Sequence, residues 1–258
     1  MASTAPSAAS LGFAPQEATQ SPLPGGLRRA LKSGWYATAP LLFGNPLALA
    51  WRRARIDAYM RASELPRVNV GAGKYPMPGW LNLDLVPRHR GVFHADATRA
   101  LPLPDASVAY LFCEHMIEHL PFAGAQGFLA ESFRVLRPGG RIRLATPDLE
   151  RILALREAAS DPVAEAYVAW VTAKHYGSEK PDPVFAVNAM FRFYGHQFIY
   201  SRAILQAAVE RAGFTEARFQ DVGSSEDATL RGLESHGRFI GEPFNRLESM
   251  VIEAVKPG

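Results

Sequence analysis

The sequence predicts an α/β fold, a sheet wound by crossover connections, over about residues 61 to 258. Three observations carry that expectation. From residue 67 short apolar runs alternate with stretches of helical spacing. The first run, "RVNV", breaks at once into "GAG", residues 71 to 73. Further on, "RPGG" (137 to 140) stops a helical stretch and turns the chain into "RIRLAT". Taken in order, strands are expected near 67–70, 80–84, 92–95, 108–112, 141–146, 217–222 and 248–255. Between them "GAQGFLAESFRVL" (124 to 136) has helical apolar spacing, ended by Pro138 and the two glycines. Residues 149–195 read as a mostly helical stretch, within an insertion that runs to residue 200. "SRAILQAAVERAGF" (201 to 214) reads as an amphipathic helix with Ser201 as N-cap and Gly213 as stop. There is no internal repeat.

Composition narrows the function classes. With 258 residues, 48% of them hydrophobic, the chain can bury a sizeable core and reads as a soluble protein. Residues 1 to 66 hold seven Lys/Arg against three Asp/Glu, and the remainder is nearly balanced. That balance argues against a body built around a nucleic-acid backbone, which needs a basic stripe. The single cysteine, Cys113, excludes an intramolecular disulfide and suits a reducing cytoplasm. Residues 1–26, rich in Ala, Ser and Pro, lack the pattern of a secretory signal and read as a disordered tail; residues 27–60 read as a helical, apolar N-terminal arm. Within that arm residues 35 to 51 carry no charge but contain Pro40, Gly44, Asn45 and Pro46. A spanning helix wants about 20 uninterrupted apolar residues, so a membrane span is rejected. Two readings remain: a loop and short helix packed on the domain, or a peripheral membrane contact through residues 35–55, with basic flanks.

The glycine turn carries the first chemical signal. Two glycines one residue apart let the backbone turn sharply and let a ligand approach closely. The dinucleotide fingerprint wants a third glycine three residues later and an acid about 20 residues on. Here Pro76 stands in the third glycine's place, Pro78 comes soon after, and Asp84 comes early. Prolines offer no N–H, so the turn is a poor pyrophosphate cradle. A nucleoside ligand without phosphates avoids that loss, and its ribose diol still wants a carboxylate at the end of the second strand. S-adenosylmethionine meets those conditions.

The segments "VNVGAG", "WLNLDL", "HADAT", "LPLPDASVAYLFCEHMIEHL" and "ESFRVLRPGGRIRLATPD" occur in this order over about residues 67 to 150. In them the sequence resembles the class I S-adenosylmethionine-dependent methyltransferases, in particular the type 11 group. The resemblance implies a Rossmann-like, seven-stranded, mostly parallel sheet with an antiparallel last strand and helices on both faces. It implies S-adenosyl-L-methionine as cofactor, with Gly71, Ala72 and Gly73 along its methionine part and Asp84, with Leu85 next to it, at the ribose. Asp96 and Ala97 would face the adenine, and Cys113 and Glu114 would line the pocket after the fourth strand. Two features depart from the group's usual pattern: the short proline-bearing segment after Gly73, where a helix is usual, and Asn69, where an acid often stands.

"HMIEH", His115 to His119, also matches the H-x-x-E-H spacing of inverted zinc peptidases. Its place after the fourth strand makes zinc hydrolysis a remote alternative, and no metal is expected. Methyl transfer can proceed largely by alignment in a dry pocket, and a base adds to it where the acceptor is a hydroxyl. The chain has "CEHM" where nucleic-acid amino-methyltransferases carry Asn or Asp followed by Pro-Pro and an aromatic, which disfavours a nucleic-acid partner. Acceptor contacts are expected from the insertion and the segment just after it: Asp148, His175, Tyr176, Tyr194 and Tyr200. His196 is the first candidate base and His119 the second. The expected reaction is methylation of a hydroxyl on a small molecule, glycan or lipid-linked precursor. The alternatives are N-methylation of a small amine, or a non-catalytic subunit that binds the adenosyl ligand. The expected location is cytoplasmic, with peripheral membrane contact through the arm as a further candidate, and the oligomeric state is left open.

Overall fold

A computed structural model describes residues 45–157 and 161–258. The expected tail 1–26 and arm residues 27–44 lie outside the described residues, and so do residues 158–160. The first described element is helix α1, Pro46–Ala62. Asn45 caps it by accepting the Ala48 N–H at 2.9 Å, and Pro46 opens it, where the missing N–H costs nothing. The helix lies along the sheet edge: Ile56 is buried, the Tyr59 hydroxyl bridges the Arg67 backbone (2.9 and 3.0 Å), and Arg52 donates to the His94 carbonyl at 2.7 Å.

The sheet has seven strands in the order β3-β2-β1-β4-β5-β7-β6. They are β1 Arg67–Val70, β2 Leu81–Asp84, β3 Val92–His94, β4 Val108–Glu114, β5 Leu136–Pro147, β6 Thr215–Gln220 and β7 Ser249–Val255. β1 to β5 run parallel, and β7 pairs antiparallel with both β5 and β6. This is the wound, mostly parallel sheet with the antiparallel last strand that the sequence led us to expect. One face of the central strands is apolar, with Val68, Leu83, Leu111 and Leu144 fully buried; the other carries Asn69, Asn82, Phe112 and Arg143, buried too, as a sheet covered on both sides requires.

β5 starts at Leu136, earlier than expected, because "RPGG" loops out of an otherwise continuous ladder. Leu136 pairs with Val108, and pairing resumes at Arg141 opposite Tyr110. Helix α2, Phe122–Val135, therefore ends where β5 begins. The insertion folds as α3 Leu149–Ala154, α4 Pro162–Tyr176 and α5 Pro183–Arg192, whose apolar faces form a second core with Ile199 and Phe244. Aspartates 148, 161 and 182 cap these three helices. α6, Arg202–Arg211, is capped by Ser201. Two short helices, α7 Gly237–Ile240 and α8 Glu242–Glu248, lead into β7. Among the described residues no helix is long and apolar enough to cross a membrane.

Candidate functional site

The sheet order reverses between β1 and β4, and ligands of wound sheets bind outside the carboxyl ends of the strands at such a switch. The glycine turn stands there. Gly71 has φ +84°, and its N–H and that of Ala72 both reach the Leu83 carbonyl, at 2.9 and 3.1 Å. A Cβ on Gly71 would come within 2.6 Å of the Met116 Cβ, whereas one on Gly73 (φ +59°) would meet nothing within 4 Å. The two glycines thus do different work: the first lets the β4 loop pass closely, and the second leaves open space. Asn82 ties down the adjoining proline-bearing segment, bonding the Met77 N–H (2.8 Å), the Met77 carbonyl and the Trp80 carbonyl. It also accepts from the Asn69 amide at 3.1 Å, so that Asn69 is a strand anchor.

Asp84 ends β2 beside the turn. One carboxylate oxygen accepts the Gly73 N–H and the other the Val86 N–H, each at 2.8 Å, which leaves each oxygen capacity for another donor. The Leu85 carbonyl meets His94 Nδ1 at 2.8 Å. Asp96 caps its own turn through the Thr98 N–H (2.9 Å) and hydroxyl (2.6 Å), with Arg99 at 3.3 Å, and Ala97 is buried behind it. Cys113 is buried in the core; burial pushes its thiol well up, and the Glu118 charge adds to that. Glu114 accepts the Ser235 N–H and hydroxyl and the His236 N–H at 2.8–3.0 Å, and so fastens the segment before α7 over the end of β4. Nearby, Phe239 rests on Tyr75 with ring centroids 5.1 Å apart.

Beyond β4 the backbone turns at His115 (φ +46°) into a single 3-10 turn, Ile117–His119. The Glu118 carbonyl accepts the Gln197 and Phe198 N–H groups (2.7 and 3.2 Å), and the Leu149 N–H reaches the Tyr200 carbonyl at 3.0 Å. These bonds fasten residues 195–200 along the site and bring the His119 and His196 rings to 5.0 Å. His196 Nδ1 lies 2.7 Å from the Met190 carbonyl and His119 Nδ1 lies 3.3 Å from that of Gly195. A carbonyl only accepts, so both Nδ1 atoms donate, and in the neutral ring the lone pair is on Nε2. Burial lowers the His196 pKa, against the raising charge of Glu118.

Glu118 is fully buried, bonded to His115 Nδ1 (3.1 Å) and to the Thr146 hydroxyl (3.0 Å). Burial pushes its carboxyl up, but the hydrogen bond and positive charge of His115 prevail and hold it at about 2. The Ser249 hydroxyl donates to Asn245 (2.9 Å), so it accepts from His115 Nε2 (3.1 Å). Both His115 nitrogens donate, which makes the ring an imidazolium; its pKa is raised, burial being outweighed by Glu118 and then by Glu248 and Glu114. His236 lies against that ring at 3.9 Å and bonds Glu248 at 3.0 Å, and Tyr167 donates to the same carboxylate at 2.5 Å.

"HMIEH" therefore does not act as a helical pair of zinc ligands. The segment is not an α-helix, and His115 joins the buried network while His119 faces His196. Asp148 is buried as the cap of α3 and ion-paired to Arg202 at 3.0 Å. The Tyr194 hydroxyl bonds His175 Nε2 at 2.7 Å, and its ring lies 5.5 Å from that of His196. Burial, then Lys174, lowers His175 to about 4, so it is the acceptor. Tyr176 packs on Phe185 and Phe193. Tyr200 is fully buried with an unpartnered hydroxyl, pushed to about 12 by burial, then by Glu118 and Cys113. The fold thus assembles Gly71–Gly73 with Asp84, and His119 with His196 and Tyr194, while Asp148 and Tyr176 are committed elsewhere. Sequence reasoning missed Glu118 as an anchor, though the motif contained it, and it had no signal for the distant partners Ser235 and Glu248.

Residues 81–144 match the methyltransferase domain family of type 11. A probable S-adenosylmethionine-dependent methyltransferase of Mycolicibacterium smegmatis is 54% identical over 48 residues, 19% of this chain and 18% of the relative. The match thus spans about a fifth of that protein's length. Among solved structures, an S-adenosylmethionine-dependent methyltransferase from Thermotoga maritima is similar at 17% identity and TM-score 0.47, over 86% of this chain and 99% of the other. Another, from Archaeoglobus fulgidus, gives 18% and 0.44 over 86% and 100%. The likeness to the S-adenosylmethionine-dependent methyltransferases of the type 11 group thus rests on the segment at residues 81–144, which carries the end of the glycine-turn pocket and the fourth strand.

Proposed function

We propose that the chain transfers a methyl group from S-adenosyl-L-methionine to a hydroxyl of a small molecule, glycan or lipid-linked precursor. The residues at the switch point suit that cofactor. The space beside Gly73 is open to a ligand lying along the backbone, and the Asp84 carboxylate can accept further bonds from a ribose diol. We assign Gly71, Ala72 and Gly73 to its methionine part, Asp84 to the sugar, and the Asp96–Ala97 turn to the base. When bound, the cofactor supplies a methyl group on a sulfonium, a good leaving group that needs no activation by the protein.

The observation that carries the acceptor's chemistry is the pair of imidazoles, His119 and His196, each with Nδ1 on a carbonyl and Nε2 unengaged. His196 is the base: its depressed pKa keeps it neutral near pH 7, so Nε2 accepts the proton of the acceptor hydroxyl. His119 and Tyr194 flank the place where that oxygen would sit. A base so placed contributes about 10²–10⁴-fold. The near-neutral body of the chain favours a small or glycan acceptor over nucleic acid. Leu47 and Trp51, exposed beside Arg52, Arg53 and Arg55, favour peripheral contact with a membrane carrying a lipid-linked acceptor.

The test is incubation of a cell extract with the purified chain and isotopically labelled S-adenosylmethionine, with mass spectrometry of the products. Label in an O-methyl product, reduced about tenfold or more in His196→Ala at unchanged cofactor affinity, is the expected result. Label on nitrogen, or wild-type turnover in the variant, would overturn the assignment.

A further inference from the structure

Glu118, His119 and His196 offer one ligand atom each, all within 4.8 Å of one another. Glu118 is buried, and the two imidazoles are partly exposed beside it. The rings are oriented as metal-ligating histidines are. Each has Nδ1 on a backbone carbonyl, the second bond that commonly fixes a metal-ligating histidine, which leaves Nε2 as the ligand atom. The carboxylate is oriented too, by His115 and by the Thr146 hydroxyl. Gly195, at φ +84°, belongs to this supporting layer, since its carbonyl is the one that meets His119. Among the described residues no donor bonds either Nε2. Three ligand atoms therefore converge; the His115 imidazolium is bonded to Glu118 but to neither of the other two imidazoles, so the inner side of the group is open to a cation.

We propose that Glu118, His119 and His196 form a divalent-cation site. Two imidazoles and one carboxylate suit zinc, cobalt, manganese or iron better than magnesium or calcium, which prefer all-oxygen sets. Three protein ligands leave coordination positions open toward solvent, and an acceptor's oxygen is the natural occupant. With a cation bound, His196 Nε2 is a ligand and no longer the base; the cation would itself hold the acceptor hydroxyl and lower its pKa, so that the proton passes to solvent. That role rests on the methyl-transfer reading above; the binding of the cation does not.

The other half of "HMIEH" marks the contrast. His115, His236 and Glu248 also lie close together. In that group, however, both His115 nitrogens already donate, to Glu118 and Ser249, so it has no lone pair to give.

The experiment treats the full chain with chelator, removes the chelator, and titrates it with Co2+ and with Zn2+ in the absence of cofactor and acceptor. One cation per chain is expected, with visible cobalt bands. His119→Ala and His196→Ala should each weaken binding by about 100-fold or more, since loss of a direct ligand exceeds the 10–100-fold cost of losing an outer partner. Gly195→Ala, which strains the supporting carbonyl, should weaken it less. Circular dichroism and thermal unfolding of each variant guard against misfolding. The inference fails if no cation binds at millimolar concentration. It also fails if binding survives in both histidine variants, or is lost only in His236→Ala. Titration of the metal-free chain with S-adenosylmethionine is a separate arm: cofactor binding without cation binding sinks this inference alone, and the reverse sinks the methyl-transfer reading.

Discussion

Adding one methyl group at each of the two glycines of the turn should separate folding from binding. At Gly71 an alanine side chain meets two penalties. The left-handed φ of +84° costs an L-residue roughly 1–2 kcal/mol. The Cβ would also lie 2.6 Å from the Met116 Cβ, which forces the β4 loop outward at an overpacking cost of roughly 1–3 kcal/mol. Together these predict a loss of about 2–5 kcal/mol, and a melting temperature lower by roughly 4–20 °C for a chain of this size. Because Met116 leads directly into Glu118 and His119, the variant should lose the histidine pair as well. At Gly73 only the first penalty applies, since nothing lies within 4 Å of the added carbon. Gly73→Ala should therefore melt within a few degrees of the wild type. It should nevertheless bind S-adenosylmethionine roughly 5–150-fold more weakly, because the methyl group enters the space assigned to the ligand. Thermal unfolding and calorimetric titration of both variants supply the comparison. Wild-type affinity in Gly73→Ala would refute the placement of the cofactor, and a stable Gly71→Ala would refute the packing argument.

Three further outcomes rest on the same contacts. Asp84→Asn keeps the shape of the side chain but loses its charge, and should weaken S-adenosylmethionine binding by about 10–150-fold, the equivalent of a charge-assisted hydrogen bond of roughly 1.5–3 kcal/mol; titration measures it. Glu118→Gln leaves the buried His115 imidazolium without its counter-charge and should destabilise the fold by about 3–5 kcal/mol, read by urea unfolding. Glu118 and Glu248 both have native pKa values below those of the unfolded chain. The stability they confer is then complete above about pH 4.3, the unfolded value. It is lost as pH falls toward 2, so melting temperatures measured from pH 6 to pH 3 should drop steeply at the acid end and less so in Glu118→Gln.

Much of the sheet was legible because the central strands put an apolar residue at every second position, and such short alternations stand out between glycines and prolines. β1, β2 and β3 fall within a residue of their expected limits for that reason. β5 was misjudged at its start because a loop that bulges out of a ladder looks, in one dimension, like the end of an element. The glycine turn and Asp84 were legible as a pair because their chemistry is local to two adjacent strands. His119 and His196 could each be singled out, but their contact depends on backbone bonds from residues 197 and 198 to Glu118, which no periodicity encodes. Asp148 was misleading for a related reason: an aspartate just past a strand reads equally as an acceptor contact or as the cap of the next helix, and the neighbouring Arg202 decides for the cap. Arg143 carried no signal at all. It lies fully buried on β5, paired with Glu234 and Glu253 from far along the chain, and it steadies the segment that delivers Ser235 to Glu114.

The mechanism stands or falls on a phosphate-free adenosyl ligand held between the glycine turn and Asp84. Its most direct measurement is calorimetric titration of the full chain with S-adenosylmethionine and, separately, with NAD. Saturable one-to-one binding of S-adenosylmethionine is expected, and none of NAD, whose pyrophosphate would find proline where it needs N–H groups. Binding of NAD in preference, or of neither, would contradict that placement.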